Sequence, residues 1–227
     1  MAMTDPFRAL CSAVAADDQA RVKALLDKDC SVALRGASEK SRFESKVGHW
    51  LYEGDTALHL AAAGYRVEIA RMLLAAGAEI GAARSRRRAQ PLHYASDGSP
   101  ASPSWDAARQ IAMIRLLLEA GAEINAQDKN GATPLHRAVR TRCASVVDCL
   151  LKAGADPALQ NMPGSTAFHL AVQNTGRGGS GSPEARIAQR EIIRSFMNSG
   201  VRPSLMDAHG KSVLDWATSP ALAELLR

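Results

Sequence analysis

Large aromatic rings are scarce in this chain: three Trp, three Tyr and four Phe among 227 residues, 4% of the whole. A core without such rings is built from Ala and Leu, which suits closely packed helices better than a sandwich or barrel. No run approaches the ~18 consecutive apolar residues of a membrane span. The opening MAMTDPFRAL also lacks the basic-then-apolar order of a secretory signal. No membrane association is therefore expected, and an intracellular, cytoplasmic location is, with the nucleus left open. Four cysteines, Cys11, Cys30, Cys143 and Cys149, show no paired spacing. They read as small core hydrophobes in a reducing compartment. Neither G-x-S-x-G nor H-E-x-x-H occurs, and nothing converges two carboxylates on one pocket. No catalytic residue, cofactor or metal is expected, and the chain does not read as an enzyme.

What the chain has instead is internal repetition. Hydrophobic residues make up 46%, ordinary for a globular protein of this length. Four segments align: GDTALHLAAAGYRVEIARMLLAAGAEI (54–80), AQPLHYASDG with IAMIRLLLEAGAEI (89–124), GATPLHRAVRTRCASVVDCLLKAGADP (131–157) and GSTAFHLAVQ with REIIRSFMNSGVRP (164–203). His59, His93, His136 and His169 step by 34, 43 and 33 residues; Gly77, Gly121, Gly154 and Gly200 step by 44, 33 and 46. His-to-Gly is 18 residues in two units, but 28 and 31 in the others. The excess lies between two helices as GSPASPSWDA (about 98–107) and NTGRGGSGSPE (about 174–184), both of loop composition.

Each unit repeats the same physical instructions. Thr133-Pro134 sets a capping hydroxyl before a first-turn proline. Leu58, Ala61 and Ala62 give a small-residue face, and Val67, Ile69, Leu73 and Leu74 follow at helical spacing. Gly77 then stops the second helix in the left-handed conformation that glycine tolerates. A stack of such helix pairs buries what one pair cannot. Residues 10–26 match 58–74 with Cys11 for the histidine and Asp29 for the glycine, and a further insertion spans about 36–52. Residues 209–227 repeat the pattern in short form with Asp215 for the histidine. Met1 reads as a natural start and this degenerate last unit as a natural end.

These segments resemble the ankyrin repeats. Gly131, Thr133, Pro134, Leu135, His136 and Ala138 match G-x-T-P-L-H-x-A, and LLAAGA (73–78), LLEAGA (117–122) and LLKAGA (150–155) match its companion. Ala57, Ala167, Phe168, Gln90 and Ser199-Gly200-Val201 depart from the pattern. The resemblance implies an all-α solenoid of paired antiparallel helices with projecting loops: one domain of five repeats (about 5–36, 53–85, 86–129, 130–162 and 163–206) and a shortened cap, 207–227. It implies structural histidines that bridge backbone groups within or between repeats. It also implies a non-enzymatic scaffold or adaptor, monomeric by itself, that binds a protein or peptide through its concave face and loop tips.

Two patterns that imitate chemistry do not carry it. The histidines recur once per repeat, which separates them instead of gathering them around one ion. His49 and His209 are lone residues. Gly176 to Gly181 formally satisfies G-x-G-x-x-G but lacks the strand-to-helix setting that fingerprint needs. Ser182-Pro183-Glu184 reads instead as a cap and first turn. Asp17, Asp18, Asp128, Asp156 and Asp207 read as turn carboxylates that cap neighbouring amides.

The partner candidates lie in the loops. Arg84, Arg86, Arg87 and Arg88 contribute four of a net charge of +5. The run suits plain solvation, then an acidic protein or peptide, and least a nucleic-acid phosphate, because no aromatics interleave the arginines for base stacking. Trp50 and Tyr52 close the first insertion and Trp105 sits in the second, each either packed on the frame or an anchor for a partner. Lys129 and Asn130 complete the candidates at the tip before the fourth repeat. Trp216 reads as a shield for the last repeat.

Overall fold

The computed structural model describes residues 5–42, 50–98, 100, 105–173 and 181–227. Its first helices begin where the sequence places a hydroxyl. Thr56, Thr133, Thr166 and Ser212 precede α3 (Ala57–Ala63), α7 (Pro134–Arg140), α9 (Ala167–Val172) and α11 (Val213–Trp216). Three residues further on, His59, His136, His169 or Asp215 turns back onto the cap. The Thr56 N–H donates to His59 Nδ1 at 3.0 Å, and the Thr133 N–H to His136 Nδ1 at 3.3 Å. Asp215 plays the part with a carboxylate, accepting from the Ser212 N–H at 2.7 Å and its hydroxyl at 2.6 Å. Before α5 (Pro91–Ser96) the Gln90 N–H still donates to His93 Nδ1 at 3.1 Å, but Gln90 Oε1 is buried without a hydrogen-bond partner.

Because Nδ1 accepts, the imidazole proton sits on Nε2 and reaches the next turn of the chain. Nε2 of His59 meets the Ala89 carbonyl at 3.0 Å, that of His136 the Ser165 carbonyl at 3.1 Å, and that of His169 the Lys211 carbonyl at 3.1 Å. Each ring therefore ties its own helix start to the following turn with both nitrogens engaged.

The second helices are α4 (Val67–Ala75), α6 (Ala107–Glu119), α8 (Ala144–Lys152) and α10 (Pro183–Asn198). Gly77 closes α4 at φ +90°, with the Ala78 N–H donating to the Leu73 carbonyl at 2.9 Å. Ser182 caps α10 by accepting from the Ala185 N–H, so Pro183 and Glu184 are already helical, as is Ala107 at the head of α6.

In the units without insertions, the residue eleven before the closing glycine is a turn whose backbone N–H holds the end of the first helix. Arg66 N–H donates to the Ala61 carbonyl at 2.9 Å, and Cys143 N–H to the Ala138 carbonyl at 3.0 Å. In the inserted units that position is helical and carries Gln110 or Gln189. Their side-chain amides donate to the corresponding carbonyls, Ala95 and Ala171, both at 2.8 Å. A buried glutamine amide thus replaces the backbone donor that an insertion removes, and these two carbonyls keep a donor.

The chain divides into two compact units. The first comprises residues 1–95 and 108–123 and carries α1 (Pro6–Ala16), α2 (Gln19–Lys28), a short 3-10 turn at Cys30–Leu34, and α3 to α6. Within it α1 packs on α3 and α2 on α4, around Leu10, Val14, Leu58, Ile69, Leu73 and Ile114. The insertion read at 36–52 departs and returns at one root: Ala37 N–H donates to the Asp55 carbonyl and Gly54 N–H to the Ala37 carbonyl, both at 2.8 Å. Above that root β1 (Ser41–Arg42) and β2 (Trp50–Leu51) form an antiparallel ribbon, with Arg42 opposite Trp50. His49 lies outside the described residues. Asp17 differs from its reading as an amide cap. Its carboxylate faces Arg66 at 3.0 Å, and the adjacent Asp18 caps the Arg21 N–H.

The second unit comprises residues 96–107 and 124–227 and carries α7 to α11 and α12 (Pro220–Leu225). Here α7 packs on α9 and α8 on α10, and Phe168 stacks on Phe196 with centroids 4.6 Å apart. Trp216 lies edge-on to His169 and donates its indole N–H to Asp207 at 3.0 Å.

Candidate functional site

The turns that lead into the first helices share one construction in the second unit. Asp128 Oδ1 accepts from the Asn130 and Ala132 N–H groups at 2.8 and 3.1 Å, and Gly131 N–H closes on the Asp128 carbonyl at 2.9 Å. Asn161 with Gly164, and Asp207 with Gly210, repeat it. The glycines take φ of +70°, +85° and +72°, a region costly for any side chain with a Cβ. At Gly131 an added Cβ would stand 2.9 Å from the Met162 nitrogen.

The arginine-rich turn of the first unit follows the same path with neither device. Arg88 N–H closes on the Ser85 carbonyl at 2.8 Å, which puts Ser85 in the Asp position and Arg88 in the glycine position. Arg88 accordingly has φ +50°. The Ser85 hydroxyl is 3% exposed and has no hydrogen-bond partner. Beneath the turn, Gly54 lies so close that a Cβ would meet the Arg84 carbonyl carbon at 2.7 Å.

The four arginines do not act alike. Arg84 is committed to Glu79 at 2.7 Å and to the Leu34 carbonyl at 3.2 Å. Arg87 lies over the Tyr52 ring, 4.0 Å from its centroid. Arg86 and Arg88 are exposed and have no side-chain partner among the described residues. Tyr52 is itself held, because its N–H donates to Asp55 at 2.9 Å, and the buried Asp55 also accepts from the Tyr94 hydroxyl. Lys40, which sequence reading passed over inside the first insertion, sits 4.3 Å from the Trp50 ring and 5.4 Å from the Tyr52 ring. Trp50 remains 41% exposed. The fold therefore gathers Arg87, Tyr52, Lys40 and Trp50 into one run of cations on aromatic faces, flanked by Arg86 and Arg88. Each such contact at a surface is worth about 0.5–1 kcal/mol.

The other candidates belong to the second unit. Trp105 is half-buried, while Lys129 and Asn130 are exposed at the 128–131 turn. Asn130 also uses its carbonyl to accept the Met162 N–H at 2.8 Å. Residues 174–180, which hold all but the last glycine of the G-x-G-x-x-G match, lie outside the described residues.

Sequence reading also missed a buried ion network in that unit. Arg137, on α7, donates to Asp97 at 2.7 Å and to Asp128 at 2.9 Å, and Arg140 reaches Asp97 at 3.3 Å. Burial opposes both charges. Even so, the attraction and hydrogen bonds of its two carboxylate partners hold the Arg137 guanidinium above its ordinary range. Hydrogen bonds from Arg137, Asn130 and Ala132 likewise hold Asp128 below its own. No such network reaches the 85–88 turn among the described residues.

Two family models match the chain. One, described as ankyrin repeats in three copies, covers residues 104–181, and the other, an ankyrin repeat, covers 53–85. No curated protein matches it. Among the described residues, no helix is long and apolar enough to cross a membrane.

Proposed function

The chain belongs to the ankyrin-repeat family, whose repeats are generally protein–protein interaction modules, and from that premise we propose that it is a non-enzymatic scaffold that docks a protein on the 84–88 edge of its first unit. The observation that carries this reading is the 85–88 turn. It keeps a strained arginine where the sister turns place glycine, and a partnerless hydroxyl where they place a carboxylate or amide. Local rules broken without a structural gain mark a surface kept for contact. The exposed Trp50 beside it supplies the kind of aromatic that anchors interfaces. On the same reading the protein works in a reducing compartment; Cys11 and Cys143 are buried core residues, whereas Cys30 is exposed and Cys149 half-buried, against the expectation that all four lie in the core.

Affinity capture tests it, with wild type, Arg86→Glu/Arg88→Glu and, as a second-unit control, Lys129→Glu. The double variant is expected to melt like wild type and lose a partner that Lys129→Glu retains. Equal recovery of every protein by all three would overturn the assignment of the edge.

A further inference from the structure

Resting on that docking edge, we infer that its partner is an acidic peptide segment, whose carboxylates pair with Arg86, Arg87 and Arg88 while its chain lies against Trp50. Three observations select carboxylates over the other anions an arginine run can take. First, the aromatic faces are occupied from within: Arg87 covers Tyr52, and Lys40 lies over Trp50 and near Tyr52. A single-stranded nucleic acid binds by stacking its bases on open rings, and these rings already carry the protein's own cations.

Second, the cationic footprint among the described residues is small. With Arg84 committed to Glu79, the edge keeps Arg86 and Arg88 exposed, with Arg87 and Lys40 beside them. Duplex binding gains its strength from many phosphate contacts tracked along a groove, whereas carboxylates are taken one at a time by guanidinium forks.

Third, the edge is pre-organised. Tyr52 is fixed by Asp55, and its ring in turn fixes the Arg87 guanidinium. A planar cation lying on a ring keeps its N–H edge available for a bidentate carboxylate and has less rotamer freedom to lose on binding. The part of Trp50 that stays exposed beside Lys40 suits the aliphatic flank of a peptide, which needs apolar contact and not an open ring face. Tyr52 is thus a positioning residue: it touches no partner and sets the geometry of Arg87.

Fluorescence anisotropy with a short fluorescein-labelled peptide of alternating glutamate and glycine tests this, beside its glutamine analogue, a duplex DNA and phosphatidylserine vesicles. At physiological salt the glutamate peptide is expected to bind about tenfold or more tighter than the glutamine peptide. Arg86→Glu/Arg88→Glu should abolish that binding. Tyr52→Ala should weaken it several-fold at unchanged net charge, and Tyr52→Phe should retain it. Equal binding of the two peptides, tighter binding of DNA or vesicles, or indifference to Tyr52→Ala would each overturn the proposal. The two readings fail separately. A neutral partner captured by wild type and lost by the arginine variant leaves the docking edge standing and removes the acidic partner. Capture unchanged by every edge variant removes both.

Discussion

The turn at 128–131 and the turn at 85–88 close with the same hydrogen bond, at 2.9 and 2.8 Å, and each puts a positive φ at its last residue. Around that shared path the chemistry is opposite. Asp128 caps two amides, accepts a buried guanidinium and hands over to a glycine. Ser85 caps nothing, and Arg88 takes the left-handed residue in place of glycine. One turn is built to hold a helix start in place. The other keeps the path and gives the side-chain positions to cations, so the repeat frame tolerates a badly made turn where its neighbours supply enough support.

The largest expected effect comes from removing the device that only the first of these turns has. Asp128 and Arg137 are about equally buried, with side chains 6% and 7% exposed. Removing one partner of a buried pair leaves the other charge uncompensated, at about 3–5 kcal/mol. Arg137 retains Asp97 at 2.7 Å, so Asp128→Ala should lower stability by the bottom of that range, about 3 kcal/mol. Ser85→Ala removes a hydroxyl with no partner and should stay within about 0.5 kcal/mol of wild type. Urea unfolding of the two variants measures both. Similar losses would show that the two turns carry the same structural weight, and the contrast would collapse.

Much of this frame was legible in the sequence because it recurs. The Thr-to-His spacing, the closing glycines and the apolar face of α4 repeat at fixed intervals, and each expresses a local rule of helix ends or faces. The terminal replacements were legible for the same reason, and the Asp215 carboxylate proves to do an imidazole's work on the Ser212 amide. Three features stayed hidden. Lys40 meets Trp50 only because an antiparallel ribbon folds the first insertion back on itself. Arg87 meets Tyr52, 35 residues away, only because a tip stacks on the preceding tip. Asp97 meets Arg137 from the root of a segment that composition marked as loop. The glutamines could have been found. Gln110 and Gln189 are the same residue type at the same distance before the closing glycine, and only in the two repeats whose insertions remove the backbone donor.

A smaller effect separates the turns by pH. Burial holds His136 below the ordinary imidazole value of 6.5, against the opposing pull of the Ser165 carbonyl and the Asp128 carboxylate. Burial does the same to His169, opposed by the Lys211 carbonyl and Asp207. The unfolded chain then takes up these protons near 6.5, and the folded chain only at lower pH. Between those values the unfolded state binds more protons, so stability is complete above 6.5 and falls as the pH drops through the window. Asp128 and Asp207, held below 3.8, withdraw their contribution only under stronger acid. Melting points taken between about pH 7 and pH 5 should therefore decline before Asp128 or Asp207 titrates. The decline should be steeper in Asp128→Asn, which removes the carboxylate that favours imidazolium at His136. A slope that Asp128→Asn leaves unchanged would detach the turn carboxylate from the histidine.

Exchanging the residue in the glycine position is expected to change stability with opposite signs in the two turns. Gly131→Ala would force a Cβ into a left-handed residue and to within 2.9 Å of the Met162 nitrogen, and should destabilise the second unit by about 1–2 kcal/mol. At Arg88 the non-glycine residue is already there, at φ +50°. Arg88→Gly releases about 1–2 kcal/mol of left-handed strain and gives back part of it as chain entropy, for a net gain of about 0.5–1 kcal/mol. The same substitution deletes one of the two exposed guanidinium groups of the docking edge that have no partner among the described residues, so a more stable protein should bind the glutamate peptide less well. Opposed changes in melting point and affinity would show that the strained turn is maintained for contact. A variant that gains stability and keeps its affinity would leave the arginine in the glycine position without a function, and the difference between the two turns would reduce to drift.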